Sequence, residues 1–241
     1  MNFPFKKGAI PPHDRKVKSV RDAGYSTHKM TVAAAIWLAT LVTCMAFMNR
    51  YAAQPGSAGR PPDHWPLASR IILDPQHPTL LMFAHPRCPC TRASIRELEK
   101  VVSDCQGMLD AQVWFIKPTG TAPNWMDTDL WRSAAAIPGV TVHVDDNGIE
   151  TRRFQSETSG QTVLYAPAGQ LIFHGGITIA RGHEGDNPGV DAIESLLLHK
   201  SSVPGTASMP VFGCKLFGSC TRPDTLENTL QNNGGGAVWK H

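Results

Sequence analysis

The longest run without a charge near the start of the chain extends from Met30 to Asn49, and charge returns at Arg50. At about 1.5 Å of helical rise per residue this run covers roughly 30 Å, the thickness of a bilayer's hydrocarbon. A helix in a soluble core would show a polar face, and this run shows none. It predicts a transmembrane helix over 30–49. Downstream, short β-like runs alternate with helical spacing. Thr79–Ala84 predicts a buried strand. Ile95, Leu98, Val102 and Cys105, with Arg96, Glu97 and Lys100 between them, predict an amphipathic helix from Thr91 to Cys105. Gln112–Lys117 reads as a second strand. Asp129 to Ala136 reads as a helix, ended by Pro138-Gly139. Val140–Val144 reads as a third strand, and Asp145-Asp146-Asn147-Gly148 opens a further turn or helix. Thr162–Tyr165 and Leu171–His174 pair across a hairpin connection at 166–170, and Val190 to His199 closes the pattern as an amphipathic helix. This order predicts an α/β domain with a mixed sheet flanked by helices, preceded by one transmembrane helix.

The stretches between these elements set the boundaries. Tyr51 to Pro66 is rich in Pro, Gly and Ala and reads as a tether. Ser201 to Met209 reads as a small-residue linker and Asn232 to Gly236 as a flexible tail. Between them, Val211 to Cys220 is a short apolar island that should dock on the domain. The expected organisation is a basic cytoplasmic arm (1–29), an anchor (30–49), a linker (50–66), a folded domain (67–200) and a mostly flexible tail (201–241). No internal repeat is visible.

Charge sharpens this picture. The formal net charge of +3 is unevenly spread: residues 1–29 carry +5 and the remainder −2. There is no basic domain, which removes nucleic acid as an expected partner. The excess of Lys and Arg before the apolar run places the N-terminus in the cytoplasm and the domain outside. The expected location is the inner (cytoplasmic) membrane, single pass, with the C-terminal domain in the periplasm or outside. A cleaved signal peptide is the competing reading. Its basic region would be unusually long, and no clear small-x-small site precedes Arg50, although Ala52-Ala53 leaves cleavage open. Both readings export the domain to a compartment where disulfides persist.

The candidate chemistry lies in the cysteines. Cys88-Pro89-Cys90 falls between the first strand and its helix, where backbone N–H groups and the positive helix end stabilise a thiolate. The bland alternative is a pair of buried structural cysteines. Cys105 lies on the apolar helix face and reads as core, and Cys44 lies within the membrane run. No dinucleotide fingerprint or phosphate loop is present, so no organic cofactor is implied.

Residues 67–199 resemble the thioredoxin fold. Phe83-Ala84-His85-Pro86-Arg87-Cys88 is similar to that family's strand end leading to its first active cysteine, and the hairpin with Gly169, followed by Gly175-Gly176, is similar to its last two strands. More narrowly, His85-Pro86-Arg87-Cys88-Pro89-Cys90-Thr91 looks like a bacterial group known as RedB. Three departures stand out. Thr91 occupies the place of the second family cysteine, with Cys90 one step early. Gln161 stands where the family has a cis-proline. Met82 replaces the family's buried acid.

The resemblance and the helix-start position make Cys88 the expected nucleophile and Cys90 the resolving thiol. The expected activity is that of a membrane-anchored, exported thiol–disulfide oxidoreductase acting on another exported thiol-containing protein. His85 and Arg87 add hydrogen-bonding or positive groups. A disulfide across one residue has poorly matched geometry, so the couple should be relatively oxidising. The loop Ile177 to Gly189 follows the last strand and should stand beside Cys88. Its Arg181, His183 and Glu184 would position a substrate or move protons. Its plain reading is a solvated loop whose Asp186 or Asn187 caps the last helix. Cys214 either attacks or caps Cys88 or Cys90, or pairs with Cys220. A competing class is metal binding, with Cys88, Cys90, His85 and a tail cysteine holding Cu(I) or Zn(II), and His174 or His183 as further candidates. That reading resembles the thioredoxin-fold copper chaperones, whose cysteine pair is more widely spaced. A thiol peroxidase is disfavoured, because His85 stands where those enzymes carry a hydroxyl residue. A non-catalytic thioredoxin-like domain with a static cysteine pair is the third reading.

Overall fold

The computed structural model describes residues 23–198 and 206–218. Every residue of β1 (Thr79–Ala84) is buried, as a strand covered on both faces must be. β1 runs parallel to β2 (Asp110–Lys117), which runs parallel to β3 (Val140–Asp146). On its other side β1 is antiparallel to β4 (Gln161–Tyr165), and β4 pairs antiparallel with β5 (Leu171–Gly175). A two-residue strand, β6 (Ala207–Ser208), joins β5 in parallel and completes the order β3-β2-β1-β4-β5-β6.

Alternate residues of β1 serve opposite layers. Leu80, Met82 and Ala84 pack with Leu98 and Val101 of α2 (Thr91–Asp104), Leu130 of α3 (Asp129–Ala135) and Ile193 of α5 (Pro188–Leu198). Leu81 and Phe83 face a second cluster with Phe154, which caps the short α4 (Ile149–Arg153), and with Tyr165 and Leu216. The parallel-then-antiparallel sheet, covered on both faces, is the mixed sheet that the residues predict and the thioredoxin-like architecture that the resemblance implies. The observed elements extend the expected ones by one to three residues at several ends. A 3-10 helix at Pro123–Met126 is additional.

α1 (Ala23–Ala52) is about 45 Å long and contains a stretch, Thr27–Ala52, long and apolar enough to cross a membrane. The chain divides into two compact units, one ending at Met48 and one beginning at Asn49.

Two segments differ from expectation. Residues 51–66, expected as a tether, run along the domain. Ser57 O accepts from Thr158 Oγ1, Pro62 O accepts from the Tyr165 hydroxyl, and the Trp65 ring meets Phe154 edge-on at 5.1 Å. Proline and glycine there shape a surface path bonded to β4, β5 and the turns beside them. Residues 201–209, expected as a linker, include β6, because Met209 N donates to His174 O and Thr206 Oγ1 to Leu171 O. His199, Cys220, Asn232 to Gly236 and the first 22 residues of the basic arm lie outside the described residues.

Candidate active site

β1 ends at Ala84, and the chain turns sharply into α2. Cys88 N donates to His85 O at 3.1 Å, and Thr91 N donates to Cys88 O at 3.1 Å. Pro89 lacks an N–H and fits this first turn without a lost bond. Cys90 is the N-cap residue, and its side chain makes no capping bond. Arg87 N donates to His85 Nδ1 at 3.1 Å, which assigns the imidazole proton to Nε2.

A second strand-end supports this turn. Ser159 lies just before β4, where Gly160 N donates to Phe83 O. The Ser159 hydroxyl accepts from His85 N at 2.8 Å and lies 2.6 Å from Thr91 Oγ1. Gln161 is buried opposite Phe83, and its Oε1 accepts from Glu157 N. Met82 lies in the main apolar cluster.

The tail crosses the same place. Gly56 N donates to Val211 O, Ser159 N to Cys214 O, and Leu216 N to Glu157 O, each at 2.8 Å. Lys215 thereby bridges Thr158 in antiparallel sense. Gly213 is buried so tightly that a Cβ there would lie 2.0 Å from Ser159 O. This strap brings Cys214 N to 3.4 Å from Cys88 Sγ. The sulfurs of Cys88, Cys90 and Cys214 all lie within 4.8 Å of one another. Cys88 is buried, and Cys90 and Cys214 are partly exposed.

The three thiols share charge unequally. Hydrogen bonds from the Cys214 and Cys90 thiols, then from the Thr91 hydroxyl and the Cys214 N–H, hold Cys88 far below the ordinary thiol range against the cost of burial. Cys214 is pushed the other way by its bonds to Cys88 and Cys90 and by burial. At Cys90 the bond with Cys214 lowers the pKa. The bond with Cys88, burial and the nearby Cys88 charge outweigh it, and the net shift is upward. These shifts favour a thiolate on Cys88 over one on Cys90 or Cys214. Burial lowers the His85 pKa, with the Cys88 charge opposing and Arg87 reinforcing, which favours the neutral imidazole.

The 177–189 loop splits its three candidates. Arg181 reaches the strap: its guanidinium donates to Gly213 O and, at 3.2 Å, to Gln54 O, and it lies over the Tyr51 ring. Its charge also acts to lower the Cys90 pKa. Glu184 pairs with Arg96 on the outer side of α2, and the exposed His183 ring meets its own loop at Arg181 O. Asn187 Oδ1 accepts from Val190 N and caps α5. His174 is half-buried on β5 and its Nδ1 makes no hydrogen bond among the described residues. Among the described residues, the metal-ligand group at this site contains the three cysteines and no histidine.

A cavity of about 470 Å³ opens beside His85, lined by Trp125, Arg152 and Phe217 among others. The Arg87 guanidinium lies 4.3 Å over the Trp125 ring, and Arg152 lies 4.2 Å over Phe217. Ser159, Gly213 and Trp125 were not singled out from sequence. A lone tryptophan in the polar run 118–128 was the one available signal.

No protein-family model and no curated protein matches the sequence. Among solved structures, the chain is similar to an uncharacterized conserved protein from Geobacillus kaustophilus at 13% identity and TM-score 0.51, covering 70% of this chain and 94% of that one. That likeness is one of fold. It is also similar to a hypothetical protein from Sinorhizobium meliloti, at 19% identity and TM-score 0.47, over 70% of this chain and 96% of that one. A secreted Mycobacterium tuberculosis disulfide oxidoreductase homologous to E. coli DsbE matches at 15% identity and TM-score 0.36, over 53% and 84% of the two chains. By its sheet order and flanking helices the chain has a thioredoxin-like fold, and it carries a cluster of three thiols at the start of its first sheet-flanking helix.

Proposed function

We propose that this protein is a membrane-anchored, exported thiol–disulfide oxidoreductase in which Cys88 attacks and Cys90 resolves. The observation that carries the reading is the meeting of the Cys88, Cys90 and Cys214 sulfurs within 4.8 Å of one another at the start of α2, with the Cys214 N–H 3.4 Å from Cys88 Sγ. The Cys88 thiolate attacks one sulfur of a partner disulfide, and the partner's other sulfur leaves as a thiolate. Cys90 then gives up its proton and attacks Cys88 Sγ, forming the Cys88–Cys90 disulfide and releasing the second partner sulfur. The partner disulfide gains two electrons and the protein's dithiol loses them. The reverse sequence oxidises a partner dithiol, and the one-residue spacing favours that direction. The partner is an exported protein with an accessible thiol pair, and the cavity beside His85 offers its side chains an aromatic and cationic wall. Export and anchoring rest on α1 and on the basic arm before it. The likeness of residues 85–91 to the RedB group belongs to the same reading.

The test is glutathione exchange by the reduced full-length protein in detergent. Wild type should exchange, and Cys88→Ser should lose the exchange by roughly a hundredfold or more. Undiminished exchange in Cys88→Ser would refute the reading.

A second reading is favoured by the compactness of the cluster. Three sulfurs within 4.8 Å of one another suit a soft cation such as Cu(I), which accepts three thiolates in a plane. In this reading Cys88, Cys90 and Cys214 hold the ion and His85 stands outside the ligand set. Competitive Cu(I) titration of the reduced protein decides it. One tightly held ion, lost in Cys214→Ser, supports a carrier, and no retention by wild type removes it.

A further inference from the structure

We infer that Cys214 is a second resolving thiol, which competes with Cys90 for Cys88 and forms a Cys88–Cys214 disulfide tying the tail strap to the start of α2. The inference rests on the proposed role of Cys88 as the attacking thiol and adds a residue to that chemistry.

The strap is pinned on both sides of Cys214. Upstream, Val211 O accepts from Gly56 N and Gly213 O accepts from the Arg181 guanidinium. Downstream, Leu216 N donates to Glu157 O, and the Leu216 side chain is buried in the cluster with Phe83 and Phe154. Cys214 O itself accepts from Ser159 N, and Ser159 also supports His85 and Thr91. The strap and the Cys88 turn therefore hang from one residue. Gly213 allows this closeness, since any side chain there would strike Ser159 O. None of these bonds is needed to close the sheet, yet together they hold Cys214 against the Cys88 sulfur.

Two sulfurs compete to resolve a mixed disulfide on Cys88. Cys90 is separated from Cys88 by one residue, and disulfides have narrow dihedral preferences that such short spacing meets poorly. Cys214 approaches from a separate segment, so its bond to Cys88 carries no such constraint. In the step, Cys88 is already joined to one partner sulfur. The Cys214 thiol gives its proton to solvent, and its thiolate attacks Cys88 Sγ. The Cys88–partner bond breaks, the partner sulfur leaves as a thiolate and takes up a proton, and a Cys88–Cys214 bond remains. The oxidant is the partner disulfide, and two electrons pass to it.

The test uses full-length protein in detergent, glutathione disulfide as the probe, acid quenching, alkylation and peptide mapping. Trypsin cuts after Arg87, Arg92 and Lys215, which places Cys88 and Cys90 in residues 88–92 and separates Cys214 from Cys220. In Cys90→Ser, the peptide 88–92 should be found linked to the peptide ending at Lys215, with no glutathione retained. In Cys90→Ser/Cys214→Ser, glutathione should stay on Cys88 and survive roughly tenfold longer or more. Gly213→Ala combined with Cys90→Ser keeps every other thiol but unseats the strap, and should also lengthen the adduct's life. A Cys90→Ser protein that keeps glutathione on Cys88 while Cys214 stays free, or that links Cys88 to Cys220, overturns the inference alone. A Cys88 that takes up no glutathione in any variant overturns it together with the proposed function.

Discussion

A single hydroxyl ties the site together at the residue scale. Ser159 accepts the His85 N–H and meets the Thr91 hydroxyl, one of the groups that lower the Cys88 pKa. Ser159→Ala leaves the buried His85 N–H without its acceptor and should cost about 1–3 kcal/mol of stability in urea unfolding. It should also raise the Cys88 pKa, because Thr91 loses the partner that orients it. An unchanged midpoint and an unchanged thiol titration would show that the hydroxyl supports neither. The position of Cys88 and Cys90 was legible, because a strand pattern and a helical pattern meet there. Ser159 was not: it lies in a turn whose own residues show no periodicity, and it reaches His85 and Thr91 only through the pairing of β4 with β1. The split of the 177–189 loop was also hidden, since nothing in the sequence of a polar, glycine-rich loop shows that Arg181 reaches the strap while His183 and Glu184 do not.

The tail strap is the decisive piece at the element scale. Gly213 is compatible with the observed path only because it lacks a Cβ. Gly213→Ala should lower stability by about 1–3 kcal/mol and loosen the tail, seen as faster proteolysis around Lys215. Proteolysis and stability equal to wild type would contradict the strap's geometry. The Cys88–Cys90 couple can be isolated in Cys214→Ser. Its one-residue spacing predicts a reduction potential well above the roughly −270 mV of thioredoxin. A potential as low as that would dismiss the argument from spacing. β1 and α2 were legible because burial imposes a regular pattern on long elements. The strap's apolar residues, Phe212 and Leu216, announced that it docks. Its destination was hidden, because backbone bonds to residues 157–159 carry no side-chain signature. The paths of β6 and of residues 51–66 were hidden too, because the groups that bond them, such as Thr158, Tyr165 and His174, lie far away in sequence.

At the scale of the whole molecule, a helix suited to a membrane precedes a separate compact unit that begins at Asn49. The full chain should fractionate with membranes, resist extraction at high salt and enter detergent. Extraction by salt alone would contradict a spanning anchor. The helix and the alternating pattern made this division legible, whereas the meeting of three distant segments at one sulfur was not. Residues 85–91, 157–161 and 211–216 come together only when the sheet has formed, and their joint effect is to lower the Cys88 pKa. Because hydrogen bonding depresses the Cys88 pKa, its charge should persist as the pH falls below the ordinary thiol range. Cys90 and Cys214, shifted upward, should ionise only above it. The most direct test is the pH dependence of thiolate absorbance in the reduced full-length protein, compared with Cys88→Ser. The account predicts one thiolate per chain at neutral pH, persisting to about pH 5 or lower and absent from the variant. A thiolate signal that emerges only near pH 8–9, equally in both proteins, would contradict it.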